Sequence, residues 1–264
     1  MTLRSTSSFM ARLFLYFRSS LYLTGQVAST LLLGPVMLLM WPFSFQTRYA
    51  TANVWVRFNL WLLRTVCGLT YRVTGQEHIP SSQSGLILCK HQSAFETIAL
   101  QAIFPPVVFI LKQELLRIPV WGWAMATLEP IAIDRKARSQ ALKQVLRDGV
   151  ARIQAGRWVV LFPEGTRVAP GQRGQYGASG GMLAQRAKCP VVPVAHNAGE
   201  FWGRNGFLKF PGVIDICIGP PLDGASMSTA EINREAESWI ERQMARISPG
   251  YGEGDGVIGH STAE

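Results

Sequence analysis

Residues 85–97 read GLILCKHQSAFET, an apolar run that stops at Lys90 and a polar cluster that opens a helical pattern. His91 and Glu96 stand five residues apart at this junction. An imidazole acts as a base when an acceptor holds one ring nitrogen and leaves the other free to take a proton. At the carboxyl end of a strand, where open α/β sheets form their ligand crevices, His91 and Glu96 would make a base and its orienting carboxylate. The same stretch supports a plainer reading. Residues 93–96, SAFE, fit the S-x-x-E capping box, with Ser93 as the cap, Glu96 reaching back to it, and His91 a polar loop residue. The two uses do not exclude each other.

Three more stretches place cations just past apolar runs. LFPEGTR (161–167) follows WVV. Gly165 permits a tight turn with close backbone approach, and Thr166 and Arg167 then offer donors to an anion. IAIDR (131–135) carries Arg135 past a β-rich run, and KQELLRIPVWG (112–122) carries Lys112 past VVFIL. Each has an ordinary explanation as a solvated charge leaving a strand. Together they set His91, Lys112, Arg135 and Arg167 at strand ends, as one crevice requires. Two other motifs carry less. GASGG (177–181) matches the G-x-S-x-G serine elbow, but PGQRGQY precedes it where that motif needs a strand, so Ser179 reads as a helix start. Cys89 and His91 form a C-x-H pair with no second ligand pair, so no metal is expected. His260 falls in a Gly-rich polar tail and has no expected chemistry.

The elements that must position these residues follow from periodicity. Short β-rich runs occur at YRVTG, GLILC, VVFIL, IAI, WVVLF, VVPVA and VIDICIG. VVPVA, with prolines before and within it, reads by itself as an edge strand. Between runs lie helical patterns, clearest at 137–155, where Leu142, Val145, Leu146, Gly149, Val150 and Ile153 recur before Gly156, and again at 229–247. Strands alternating with helices predict an α/β domain with a mixed, mostly parallel sheet flanked by helices. We expect a membrane-associating helical segment over 1–70, the α/β domain over 71–247 and a disordered tail over 248–264.

Charge separates the first segment from the rest. The chain carries a formal net charge of +9; residues 1–76 hold seven arginines and no acid, leaving nineteen basic against seventeen acidic side chains beyond. Ser19–Thr47 contains no charged residue, a length that reaches a bilayer span, though Gly34-Pro35 interrupts it and arginines flank both sides. In 53–69, Arg57 and Arg64 share one helical face while Trp55, Phe58, Trp61 and Leu62 cover others, as in a helix lying in the interface. Helices dipped into one leaflet are the expectation, with a single span as the alternative. Basic residues interleaved with a lipid-sized apolar stretch argue against nucleic acid as a partner. The four scattered cysteines argue against a disulfide framework.

HQSAFE, KQELLRIPVWG, IAIDR, FPEGTR and VVPVA, in that order, resemble the glycerolipid acyltransferase family, in particular its 1-acylglycerol-3-phosphate acyltransferases. The likeness covers about residues 71–220 and the N-terminal membrane segment. The family's first motif is His, four residues, Asp; here Glu96 replaces the Asp. Glu129-Pro130 stands near the place where a glycine usually precedes the second motif's arginine. The resemblance implies a glycerophosphate-acyltransferase-like fold and transfer of an acyl chain from acyl-CoA or acyl-carrier protein to a lysophospholipid hydroxyl, with no acyl-enzyme and no cofactor. It implies His91 as base, Glu96 as its partner, and a phosphate site of Arg135, Arg167 and Lys112 with Glu164, Gly165 and Thr166. The basic flanks of the apolar stretch and the scattered cysteines lead us to expect an inner-membrane location with the catalytic domain on the cytoplasmic face. An acceptor other than lysophosphatidate, such as a lyso-ornithine lipid, or a non-catalytic lipid-binding protein are the alternatives.

Overall fold

A computed structural model describes residues 9–104 and 106–252. The chain starts with two helices, α1 (Phe9–Leu39) and α2 (Phe45–Leu62), which pair antiparallel: Trp55 Nε1 donates to Thr30 Oγ1 at 3.1 Å, and Gly25 packs against Leu62. Ser44 caps α2, its side chain accepting from the Thr47 amide. A π turn over Leu63–Cys67 then ends at Gly68, whose φ of 63° turns the chain into the sheet.

The remaining elements alternate in order: β1 (Leu69–Thr74), β2 (Leu86–Cys89), α3 (Phe95–Ile103), β3 (Val107–Lys112), α4 (Trp121–Ala126), β4 (Ile131–Ile133), α5 (Arg138–Gln154), β5 (Trp158–Leu161), α6 (Ser179–Ala187), β6 (Pro190–His196), α7 (Ala198–Phe201), β7 (Gly212–Ile218), β8 (Leu222–Asp223) and α8 (Thr229–Ile247). The sheet runs β1-β7-β6-β2-β5-β3-β4, with β8 paired to β6. Strands β6, β2, β5, β3 and β4 are mutually parallel; β7 pairs antiparallel with β6, and β1 is parallel to β7. The parallel strands β2, β5 and β6 are buried throughout, which is why their sequences read as continuous apolar runs rather than alternating ones. The chain reverses its travel across the sheet after β4, so right-handed crossovers put α5 and α6 on the face opposite α3. Helix α5 buries Ala141, Val145, Gly149 and Ile153 along one stripe, and α8, closed at its start by a Ser228–Glu231 capping box, lies beside α6 over β6.

Three sequence expectations change here. VVPVA lies inside the sheet, between β7 and β2, and not at an edge. Pro193 sits there because the sheet uses its carbonyl, which accepts from the Gly219 amide at 2.8 Å. Gly34-Pro35 does not break α1, which runs unbroken through it. Gly34 instead makes room for a neighbour: a Cβ there would meet Val120 Cγ1 at 2.3 Å. The expected tail is ordered over its first residues. Ser248 hydrogen-bonds Glu200, Tyr251 hydrogen-bonds Glu241, and the Gly252 amide donates to Gly171 O at 3.2 Å. Residues 253–264, including His260, lie outside the described residues.

Candidate active site

The carboxyl ends of β2, β3, β4 and β5 lie along one edge of the sheet, because these strands are parallel neighbours. That edge carries the residues flagged by type and spacing. His91 leaves β2 just after Lys90, and Glu96 lies in the first turn of α3. Oxygen Oε1 of Glu96 accepts three donors: His91 Nδ1 at 2.8 Å, the Gln92 amide at 3.0 Å and the Ser93 amide at 2.8 Å. Only half of the capping box forms, since Ser93 Oγ receives the Phe95 amide at 3.2 Å and not that of Glu96. One carboxylate thus shapes the loop and holds the ring. A carboxylate accepts, so Nδ1 carries the proton and Nε2 keeps its lone pair. Nε2 has no partner among the described residues.

Glu96 is buried, which by itself would raise its pKa; His196 and His91 outweigh that and hold the carboxyl below its ordinary value. His196 was not visible as a site residue in the sequence. It ends β6, and its Nε2 donates to Lys90 O at 2.8 Å while Nδ1 accepts the Ala198 amide at 3.2 Å. The same Nε2 faces Glu96 Oε2 at 3.9 Å, and burial pulls the pKa of the imidazole below its ordinary value. Its only sequence signal is its place at a strand's carboxyl end.

The FPEGTR loop closes over His91. Phe162 stacks on the imidazole, with centroids 3.9 Å apart and planes 15° from parallel. The Val168 amide donates to His91 O at 2.8 Å, and the His91 amide donates to Glu164 Oε2 at 2.8 Å. The loop turns tightly, the Gly165 amide donating to Phe162 O at 3.0 Å, with Gly165 at a φ of 65° that disfavours other residues. Arg135 donates through Nη1 to the Gly165 carbonyl, so the IAIDR and FPEGTR segments meet. Arg167 follows on the same loop, its carbonyl held by Arg204 Nη1 at 3.1 Å, with Thr166 half-buried beside it. Lys112 ends β3 with an exposed side chain, in register with Ile133, two residues before Arg135. Glu164 faces inward: its carboxylate is shared between the His91 amide and Lys90 Nζ, and its charge is spent within the protein. Beside the loop lies a cavity of about 360 Å³. Arg135, Glu164 and Gly165 line its polar part, and Ile110, Ile133 and Leu161 its apolar part.

Residues 70–197 match the family model described as Acyltransferase. Over 211 residues the chain is 45% identical to the 1-acyl-sn-glycerol-3-phosphate acyltransferase of Pseudomonas aeruginosa, covering 79% of this chain and 81% of that protein. The chain belongs to the glycerolipid acyltransferase family. A Borreliella burgdorferi 1-acyl-sn-glycerol-3-phosphate acyltransferase is 28% identical over 179 residues, 67% of this acyltransferase and 69% of that one. The crystal structure of the 1-acyl-sn-glycerophosphate acyltransferase from Thermotoga maritima superposes with a TM-score of 0.76 at 20% identity, covering 89% of this chain and 96% of that one, which establishes the shared fold. This acyltransferase is membrane-associated: α1 is long and apolar enough to cross a bilayer, and most of its outward side chains are exposed hydrophobics.

Proposed function

We propose that this acyltransferase moves an acyl chain from a thioester, on coenzyme A or acyl-carrier protein, to the sn-2 hydroxyl of 1-acylglycerol-3-phosphate. The observation that carries the reading is the 2.8 Å bond from His91 Nδ1 to Glu96 Oε1, which leaves Nε2 open beside a cationic loop. Nε2 takes the proton of the acceptor hydroxyl as its oxygen attacks the thioester carbonyl. Glu96 stabilises the imidazolium that forms. The tetrahedral intermediate collapses, the carbon–sulfur bond breaks, and the thiolate leaves and recovers the proton from Nε2. The donor is already activated, so no acyl-enzyme is needed. A positioned base of this kind contributes about 10²–10⁴ in rate.

Arg135 and Arg167, with Lys112 on the neighbouring strand, receive the acceptor's phosphate, helped by Thr166, while Gly165 supplies the tight turn that lets the loop approach it. Support comes from the Arg135–Gly165 contact, which brings two of these segments together. The buried Glu164 carboxylate does not join them and serves instead to hold the loop. The apolar part of the neighbouring cavity suits an acyl chain. Helices α1 and α2 lie in one leaflet. In support, α1 buries Ser19, Tyr22, Ser29, Gly34 and Met37 along its inward side, which ties it to the rest of the protein. The catalytic domain then faces the cytoplasm at the inner membrane, where its thioester donors are made.

The test is turnover of purified protein in detergent, with a panel of lysolipids and both thioester donors. Lysophosphatidate should be the preferred acceptor, and His91→Ala should lose nearly all transfer while keeping fold and vesicle binding. Preference for an uncharged or amino-acid lysolipid would reassign the acceptor. Free fatty acid released without an acceptor would make the enzyme a hydrolase.

A further inference from the structure

The clamp on the His91 main chain continues away from the crevice. Lys90 precedes His91, and its side chain is wholly buried. Its Nζ lies 2.7 Å from Glu164 Oε1 and 3.0 Å from Glu241 Oε1, and donates to the Tyr251 hydroxyl at 2.7 Å. Glu241 belongs to α8 and Tyr251 to the segment after it, so the C-terminal part of the described chain reaches the residue beside His91. The Tyr251 hydroxyl donates in turn to Glu241. The main chain of Lys90 is held as well, its amide on Val194 O at 3.0 Å and its carbonyl on His196 Nε2 at 2.8 Å.

A buried ion cluster of this sort is poor fold glue. Desolvation of each charge offsets most of the attraction, and well-packed apolar groups of the same volume often do as well. What an apolar set would not supply is the far side of Glu164, where Oε2 receives the His91 amide.

We propose that Lys90, backed by Glu241 and Tyr251, is a positioning residue for His91: it fixes the Glu164 carboxylate that receives the His91 amide, and so sets the imidazole against Glu96. The inference rests on His91 being the base. It makes the C-terminal segment, more than 150 residues away in sequence, part of the catalytic apparatus.

The electrostatics give the test its readout. Burial raises the Glu164 carboxyl above its ordinary value, and Lys90 is the main influence drawing it back. Glu241 faces it from α8 and opposes Lys90. Tyr176 donates to Glu241 at 2.9 Å, and Arg173 lies 4.0 Å from the same carboxylate. On the other side the Glu164 carboxylate meets the His91 amide. Without Lys90, Glu164 takes up a proton at higher pH.

Lys90→Met keeps the stem and removes the charge. It should lower kcat about tenfold or more with the acceptor KM within about twofold, and move the acidic limb of kcat/KM to higher pH. Tyr251→Phe, a change the fold tolerates more readily, should lower kcat about threefold in the same sense. A merely structural role would lower the melting temperature and leave kcat and the pH profile of the folded protein unchanged. That result in Lys90→Met, or in Tyr251→Phe if Lys90→Met does not fold, overturns the proposal. His91→Ala run alongside separates the two readings: an inactive His91→Ala with an unaffected Lys90→Met sinks only the positioning role, whereas an active His91→Ala removes the base and this inference together.

Discussion

Three N–H groups converge on one oxygen of Glu96, and the proposed chemistry requires that oxygen to carry charge. Glu96→Gln keeps a carbonyl oxygen for the three donors but removes the charge facing His91 and His196. If the carboxylate only capped α3, turnover would persist. If it also stabilises the imidazolium, kcat should fall about 100-fold with helix content unchanged. The linkage has a definite sign. The Glu96 carboxyl is held below its ordinary 4.5 in the folded protein, burial being outweighed by His196 and His91. Its stabilising contribution is complete above that ordinary value and is lost as pH falls through the lowered one. The melting temperature of the wild type should therefore drop more steeply below about pH 4.5 than that of Glu96→Gln. Parallel curves measured from pH 7 to pH 3 would deny Glu96 this coupling.

At the scale of elements, one acid gathers cations from both the membrane hairpin and the α/β domain. Glu129 pairs with Arg48 of α2 at 2.6 Å, with Arg157 just before β5, and at 3.7 Å with Arg152 of α5. Arg157 also lies over the Phe45 ring, 3.6 Å from its centroid. Burial would raise the Glu129 carboxyl, but the arginines hold it below its ordinary value. Its φ of 53° is a position where glycine fits without strain. Glu129→Ala should thus destabilise the protein, and Glu129→Gly, which also loses the arginines, should recover about 1 kcal/mol of that loss in a denaturant titration. Equal losses would show that backbone strain has no part. The sequence displays Glu129 as a residue before Pro130, near the place where the family usually has a glycine, but not its three arginine partners. Strands are legible because each is a short apolar run, and α5 and α8 because their buried positions recur every three to four residues. The two-residue β8 is too short for any pattern, and Pro35 suggests a break that α1 does not contain. In the site, His91 and Glu96 are legible because five residues separate them. Lys90, Glu241, Tyr251 and His196 are not, because their partners are distant in the chain and each looks like an ordinary solvated or strand-end residue by itself.

On the molecule as a whole, exposed apolar surface runs along the hairpin and continues onto one loop of the domain. On α1, Leu13, Phe17, Leu31, Leu32 and Leu39 are more than half exposed, and on α2 Trp61 is 57% exposed. Val120 packs into the space at Gly34, so the segment that follows Lys112 lies against α1 and presents Leu115, Ile118 and Trp123 outward. The apolar face of the hairpin is thereby extended toward the strand ends that carry Arg135 and the FPEGTR loop. If those cations receive the acceptor's phosphate as proposed, a lysolipid leaving the bilayer at this point reaches them without crossing open water. The double substitution Ile118→Glu with Trp123→Glu leaves α1, α2 and the crevice in place. Each large apolar side chain is worth about 1.5–3 kcal/mol when fully removed from water, so even partial insertion of two should weaken vesicle binding at least about tenfold. Turnover of a short-chain lysophosphatidate presented as monomers should stay within about twofold, because no membrane is needed to deliver it. Undiminished partition into vesicles, measured by cosedimentation, would confine membrane contact to the two N-terminal helices and leave the crevice to be reached from the aqueous side.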